Sequence, residues 1–128
     1  MTREEIMVAY RGYIACLNGR DWQDLHQFVG KDVIYNGTRI GLEGYAGMLA
    51  ADVRAIPDLQ FTIAALVCDP PVIAVRLAFD CSPVGDLFGL AVNGKQVRFD
   101  EHVFYEFHDG RIQKVWSLID KAAIAEQI

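Results

Sequence analysis

No apolar run in this chain is long enough to cross a bilayer: the longest, around Ile63 to Cys68, falls far short of the ~18 residues a spanning helix needs. A Cys-x-x-Cys pair is also missing. Cys16, Cys68 and Cys81 are odd in number and widely spaced, which argues against a disulfide framework and leaves them as small buried apolar groups. Histidine is scarce, and His26, His102 and His108 do not fall at helical ligand spacing with carboxylates, so no metal site is signalled. Basic charge is in deficit. With 12 Lys and Arg against 17 Asp and Glu the formal charge is -5, a field that repels nucleic-acid phosphates. The opening Met1-Thr2-Arg3-Glu4-Glu5 turns acidic at once and is unlike a secretion signal, so a cytoplasmic location away from membranes is expected. Internal repeats and low-complexity segments are absent as well.

Against these absences stand 128 residues of which 52% are hydrophobic, enough for one core and one domain, residues 1–128. Thr2 with Glu5 forms a capping-box pattern, and Ile6, Tyr10, Tyr13, Ile14 and Leu17 recur at helical spacing until Asn18-Gly19. Asp21 is placed to cap a short second helix carrying Trp22, Leu25 and Phe28, ended by Lys31-Asp32. Val33, Ile34 and Tyr35 read as a brief strand, Asn36-Gly37 as a turn and Arg39-Ile40 as the return. A third helix over 42–56 aligns Tyr45, Met48, Leu49 and Val53 before Pro57 forbids continuation. The period then changes to two over 59–67, 72–80, 96–107 and 112–119, and the tail from Asp120 reads as a last short helix. This order predicts an α+β fold: a cone-shaped, curved antiparallel sheet packed on three N-terminal helices, with a pocket between the two layers.

Arg76, the loop Gly85-Asp86-Leu87-Phe88-Gly89, the turn Asn93-Gly94-Lys95, the run Asp109-Gly110-Arg111-Ile112, and Trp116 followed four residues later by Asp120 resemble, without a gap, the SnoaL-like polyketide cyclases. These are also labelled ester cyclases and have the nuclear-transport-factor-like cone. Gln127-Ile128 is similar to a shortened form of that family's closing Gln-Leu-Gly. The resemblance implies intramolecular aldol cyclisation of a small hydrophobic carbonyl or ester compound. No metal or organic cofactor is implied, and one carboxylate serves as acid and base. On that reading the carboxylate is Asp120. The same residue precedes Lys121-Ala122-Ala123 and also reads as a helix cap. Where the family often has Thr-His-x-Gly this chain has Ser82-Pro83-Val84-Gly85, a departure that bears on the substrate.

Strand alternation puts Glu101 on the face of Phe99, Val103 and Tyr105 and His102 on the other, so Glu101 is a second candidate acid or base. His102 is a third candidate, with a dimer contact or a structural role as its other reading. Arg76 interrupts an apolar strand and requires a partner, either a substrate oxygen or an internal carboxylate such as Glu101. Tyr35 and Asn36 close the first strand, where the Asn36 amide could donate to a substrate carbonyl or simply make the turn. Tyr105 and Trp116 offer flat walls to a ligand, or ordinary core. A homodimer through the outer sheet face is expected. Two other functions remain open: a cofactor-free isomerase, dehydratase or hydrolase in the same pocket, and a non-catalytic ligand-binding or assembly domain.

Overall fold

The computed structural model describes residues 1–128. Helix α1 (Arg3–Gly19) begins as its sequence dictates: the Thr2 side chain accepts from the Glu5 N–H, and the Glu5 carboxylate accepts from the Thr2 N–H at 2.7 Å. It ends where Arg20 turns left-handed, with φ of 59°, and returns its N–H to the Cys16 and Leu17 carbonyls. Ile6, Tyr10, Tyr13, Ile14 and Leu17 form its buried stripe.

The expected second helix is a 3-10 turn, Trp22–Gln27, and Asp21 makes no side-chain cap bond. Strand β1 (Val29–Tyr35) starts earlier than the sequence pattern suggests, because Val29 and Val33 both point into the core. After β2 (Thr38–Arg39) comes α2 (Gly41–Ala55), then β3 (Thr62–Asp69), β4 (Val72–Cys81), a small hairpin of β5 (Asp86–Leu87) and β6 (Leu90–Ala91), β7 (Val97–His108), β8 (Arg111–Ile119) and α3 (Lys121–Gln127).

The main sheet runs β2-β1-β8-β7-β4-β3. Four of its five strand pairs are antiparallel as expected, but β1 joins β8 in parallel. A parallel pair needs a long crossover, here residues 36–110, so no local pattern encodes it. The long strands put successive rows of side chains on alternate faces. One inner row is Ile63, Leu77, Glu101 and Ile119; another is Cys68, Ile73, Tyr105 and Val115. Outer rows run Val67, Ala74, Phe104, Trp116 and Ala65, Arg76, His102, Leu118. The inner rows close on α1 and α2 to make one continuous core. No helix is long and apolar enough to cross a membrane.

Candidate active site

Between the inner face of the sheet and the helices lies a cavity of about 210 Å³. Fifteen of its seventeen lining residues are hydrophobic; the two exceptions are both acids, Asp52 and Glu101. No Lys, Arg or His reaches the lining, so neither carboxyl has a counter-ion there.

Strand alternation delivers Glu101 from the middle of β7 to the cavity wall, as its neighbours Phe99 and Val103 require. The Ser117 hydroxyl, from β8, donates to Glu101 Oε2. Burial pushes the Glu101 carboxyl above its ordinary range; the Ser117 bond opposes this, and the negative charge of Asp52 adds to it. Asp52 comes from the last turn of α2. Burial alone acts on it, raising its pKa from 3.8 to about 6.

Four of the chain's five tyrosines line the cavity with these acids, and Tyr10 packs behind Tyr13 and Tyr105. The Tyr13 and Tyr45 hydroxyls meet at 2.6 Å, Tyr105 packs on Tyr13 at 5.7 Å between ring centres, and Tyr35 meets Tyr45 edge-on at 6.2 Å. Burial raises the phenol pKa of Tyr13, Tyr35, Tyr45 and Tyr105, so these groups stay neutral hydrogen-bond donors at ordinary pH. Phe88, held at φ of 52° in the glycine loop, reaches the same cavity and stands edge-on to Phe99, while Lys121 Nζ lies 5.5 Å from the centre of its ring.

Of the residues singled out from the sequence, Glu101, Tyr35 and Tyr105 come together in this cavity. Asp120 does not line it. It is the exposed N-cap of α3, its Oδ1 accepting from the Ala123 N–H at 3.1 Å, beside a separate groove that also holds Asp80, Arg98 and Asp100. Trp116 does not line the cavity either: it stands half exposed on the outer face of β8, resting over Gly37. Asn36, at φ of 47°, spends its amide on the neighbouring strand: Nδ2 donates to the Ser117 carbonyl at 3.2 Å and Oδ1 accepts from the Ser117 N–H at 2.7 Å.

Arg76 does not pair with Glu101. The register sets Arg76 opposite His102 and Glu101 opposite Leu77, so the two expected partners lie on opposite faces of the sheet. Arg76 is exposed, which removes the desolvation cost expected of it, and its Nε donates to His102 Nε2 at 3.2 Å on the outer face.

Sequence reasoning missed Asp52, and a signal was present. The residues α2 turns toward the cavity are Tyr45, Met48, Leu49 and, just past its end, Ile56; Asp52 falls on that stripe, four after Met48 and three after Leu49. Reading Val53 as the next apolar position hid an acid on an apolar face.

The model of the family described as SnoaL-like polyketide cyclase matches residues 7–128. No curated protein matches the chain. Among solved structures, a SnoaL-like polyketide cyclase from Agrobacterium tumefaciens is 44% identical, with 93% of this chain and 94% of that one covered and a TM-score of 0.91. TsrD from Streptomyces laurentii is 19% identical over 99% of this chain and 96% of that one, with a TM-score of 0.87. IdmH from Streptomyces antibioticus is 19% identical over 94% and 96%, with a TM-score of 0.82. At such identity the last two speak for the fold alone.

Proposed function

The chain belongs to the SnoaL-like polyketide cyclase family, and on that footing we propose that its cavity binds a small hydrophobic carbonyl or ester compound and acts on it by general acid/base chemistry of the intramolecular aldol type, with Glu101 as a catalytic carboxyl. One observation carries this reading: in a cavity lined by aliphatic and aromatic side chains the two remaining residues are both acids, with no basic side chain in the lining and with carboxyls raised by burial. A carbon next to a carbonyl is acidic enough for a positioned carboxylate to remove its proton, and a carboxylic acid returns one to the new alkoxide. Tyr13 and Tyr45 hydrogen-bond to each other, which commits one phenol hydrogen and leaves the other free to donate to the oxygen on which charge develops. The volume of about 210 Å³ favours a substrate of one or two rings, given that a cavity of ~150 Å³ accommodates benzene.

The family resemblance points instead to Asp120, and the two assignments separate cleanly. Deuterium uptake at the α-carbon of 2-tetralone, a bicyclic ketone, is to be followed by NMR in D2O with the parent protein, Glu101→Gln and Asp120→Asn. We expect Glu101→Gln to lose roughly 100-fold of the catalysed exchange, the scale of acid/base catalysis. Asp120→Asn should stay within about 3-fold of the parent, because asparagine also caps helices. The opposite pattern assigns the chemistry to Asp120. Exchange by none of the three, with ligand still bound, moves the protein to the binding or assembly reading.

We also propose that two copies pair through the outer face of the sheet. Val67, Phe104, Trp116 and Leu118 expose 68%, 56%, 51% and 73% of their surface there. Three of them, Val67, Phe104 and Trp116, stand in one row across four strands.

A further inference from the structure

We propose that Asp52 is a second catalytic carboxyl of the cavity and that it shares one proton with Glu101, so that one acid takes the substrate's α-proton while the other delivers a proton to the oxygen. The inference rests on the acid/base reading above and adds a residue and a division of labour to it.

Position is the first support. Asp52 stands in the last turn of α2, where the exposed carbonyl ends of the helix favour a cation and oppose an anion. It is also turned toward an apolar cavity with no cation in the lining. Both circumstances disfavour a carboxylate, and no hydrogen bond or ion pair offsets them. A surface glutamate or a leucine would serve the helix better, so its placement reads as serving the cavity.

The second support is the partner. Helix and sheet each bring one carboxyl to the same cavity lining, where the negative charge of Asp52 opposes ionisation of Glu101. The groups facing Asp52 are Tyr13 from α1, Tyr45 from its own helix, Tyr35 from β1, and Glu101 and Tyr105 from β7. Burial raises both carboxyls and Glu101 also senses the charge on Asp52, so the held proton is assigned to Glu101 and the role of base to Asp52. With Ser117 donating to Oε2, Glu101 has its other oxygen to carry the proton into the cavity.

The step then balances without a co-reactant. The substrate C–H bond breaks and its proton goes to Asp52. The resulting enolate carbon forms the new C–C bond with the second carbonyl carbon, whose π electrons move to oxygen. That oxygen takes the proton of Glu101, which is left ionised, and transfer of the proton from Asp52 to Glu101 restores the pair.

The test uses Asp52→Asn, Glu101→Gln and the parent protein, with two readouts. The first is the pH profile of 2-tetralone deuterium exchange; the second is the titration of 13C-labelled side-chain carboxyls by NMR. We expect Asp52→Asn to remain folded, to lose about 100-fold of the exchange and to lose the acid limb near pH 6. Its Glu101 should titrate at lower pH than in the parent, since a neighbouring charge is gone. Exchange kept within 3-fold in Asp52→Asn but lost in Glu101→Gln overturns this inference and leaves the proposed function standing. Loss in neither variant, or no exchange by the parent, overturns both. If Asp52→Asn does not fold, Asp52→Ala is read the same way, and a Glu101 titration unmoved by either substitution refutes the shared proton.

Discussion

Asp52 and Asp120 carry the same side chain into opposite situations, one turned to a cavity and the other capping a helix. The folded-state pKa of Asp52, about 6, lies above its ordinary 3.8, so between those values the native state holds a proton that the unfolded chain has released. Stability contributed by the protonated form is therefore complete below pH ~4, falls as pH rises through this window and is gone above ~6. We expect Asp52→Asn to be more stable than the parent by about 1–2 kcal/mol at pH 8, discounted for partial exposure, and equal to it at pH 4, as read from urea melts at the two values. Asp120 works through geometry instead. Asp120→Ala should cost about 1 kcal/mol through loss of the cap bond to Ala123, and Asp120→Asn little, at any pH where the cap forms. Capping was legible in the sequence because it depends on a residue and its next three neighbours. The cavity position of Asp52 was legible too, as an acid on an apolar helical stripe, but only if the stripe was drawn through Met48, Leu49 and Ile56 rather than through Val53.

At the scale of elements, period-two alternation was enough to send Glu101 inward and His102 outward, because a strand's faces follow from counting. It could not say which strand would lie beside which. The pairing assumed between Arg76 and Glu101 failed on register: β4 and β7 are neighbours as assumed, but Arg76 stands opposite His102 and faces the other way, and register, like the choice of neighbour, is a property of both strands and their connection. The parallel β1–β8 contact was illegible for the same reason, and it matters to the site. Asn36 at the end of β1 clasps the Ser117 backbone on β8, and the Ser117 side chain holds Glu101, so a turn residue positions a carboxyl that it never touches. Asn36→Ala removes both amide bonds and forces alanine to a positive φ. We expect a stability loss of about 1–3 kcal/mol in thermal or chemical melts. Asn36→Gly tolerates the φ but still lacks the clasp. A lower exchange rate in Asn36→Gly, with the fold intact, would trace the positioning effect apart from backbone strain.

For the whole molecule, the sheet divides two tasks that share the same strands. Its inner rows carry Glu101, Tyr35 and Tyr105, facing Asp52, Tyr13 and Tyr45 of the helices; its outer rows carry Val67, Phe104, Trp116 and Leu118, with the Arg76–His102 pair between them. Strands β3, β4, β7 and β8, spaced by about 4.8 Å and roughly 30 Å long, offer a flat face of roughly 600 Å² before side-chain relief is added, approaching the ~800 Å² per partner that a specific interface buries. Apolar side chains exposed in a contiguous row across such a face are better covered than wet, and a second copy supplies an identical row in an isologous contact. Placing like charges at the centre of that contact should open it, because each would be desolvated against its symmetry mate. The double variant Trp116→Glu, Leu118→Glu is therefore expected to sediment as a monomer at concentrations where the parent sediments as a dimer. Since both side chains point away from the cavity, the variant should keep 2-tetralone exchange within a few-fold of the parent. A parent that is monomeric throughout would remove the dimer while leaving the acid/base site untouched. A dimer that loses exchange when dissociated would mean that the outer contact holds β7 and β8, and with them Glu101 and Ser117, in their working geometry.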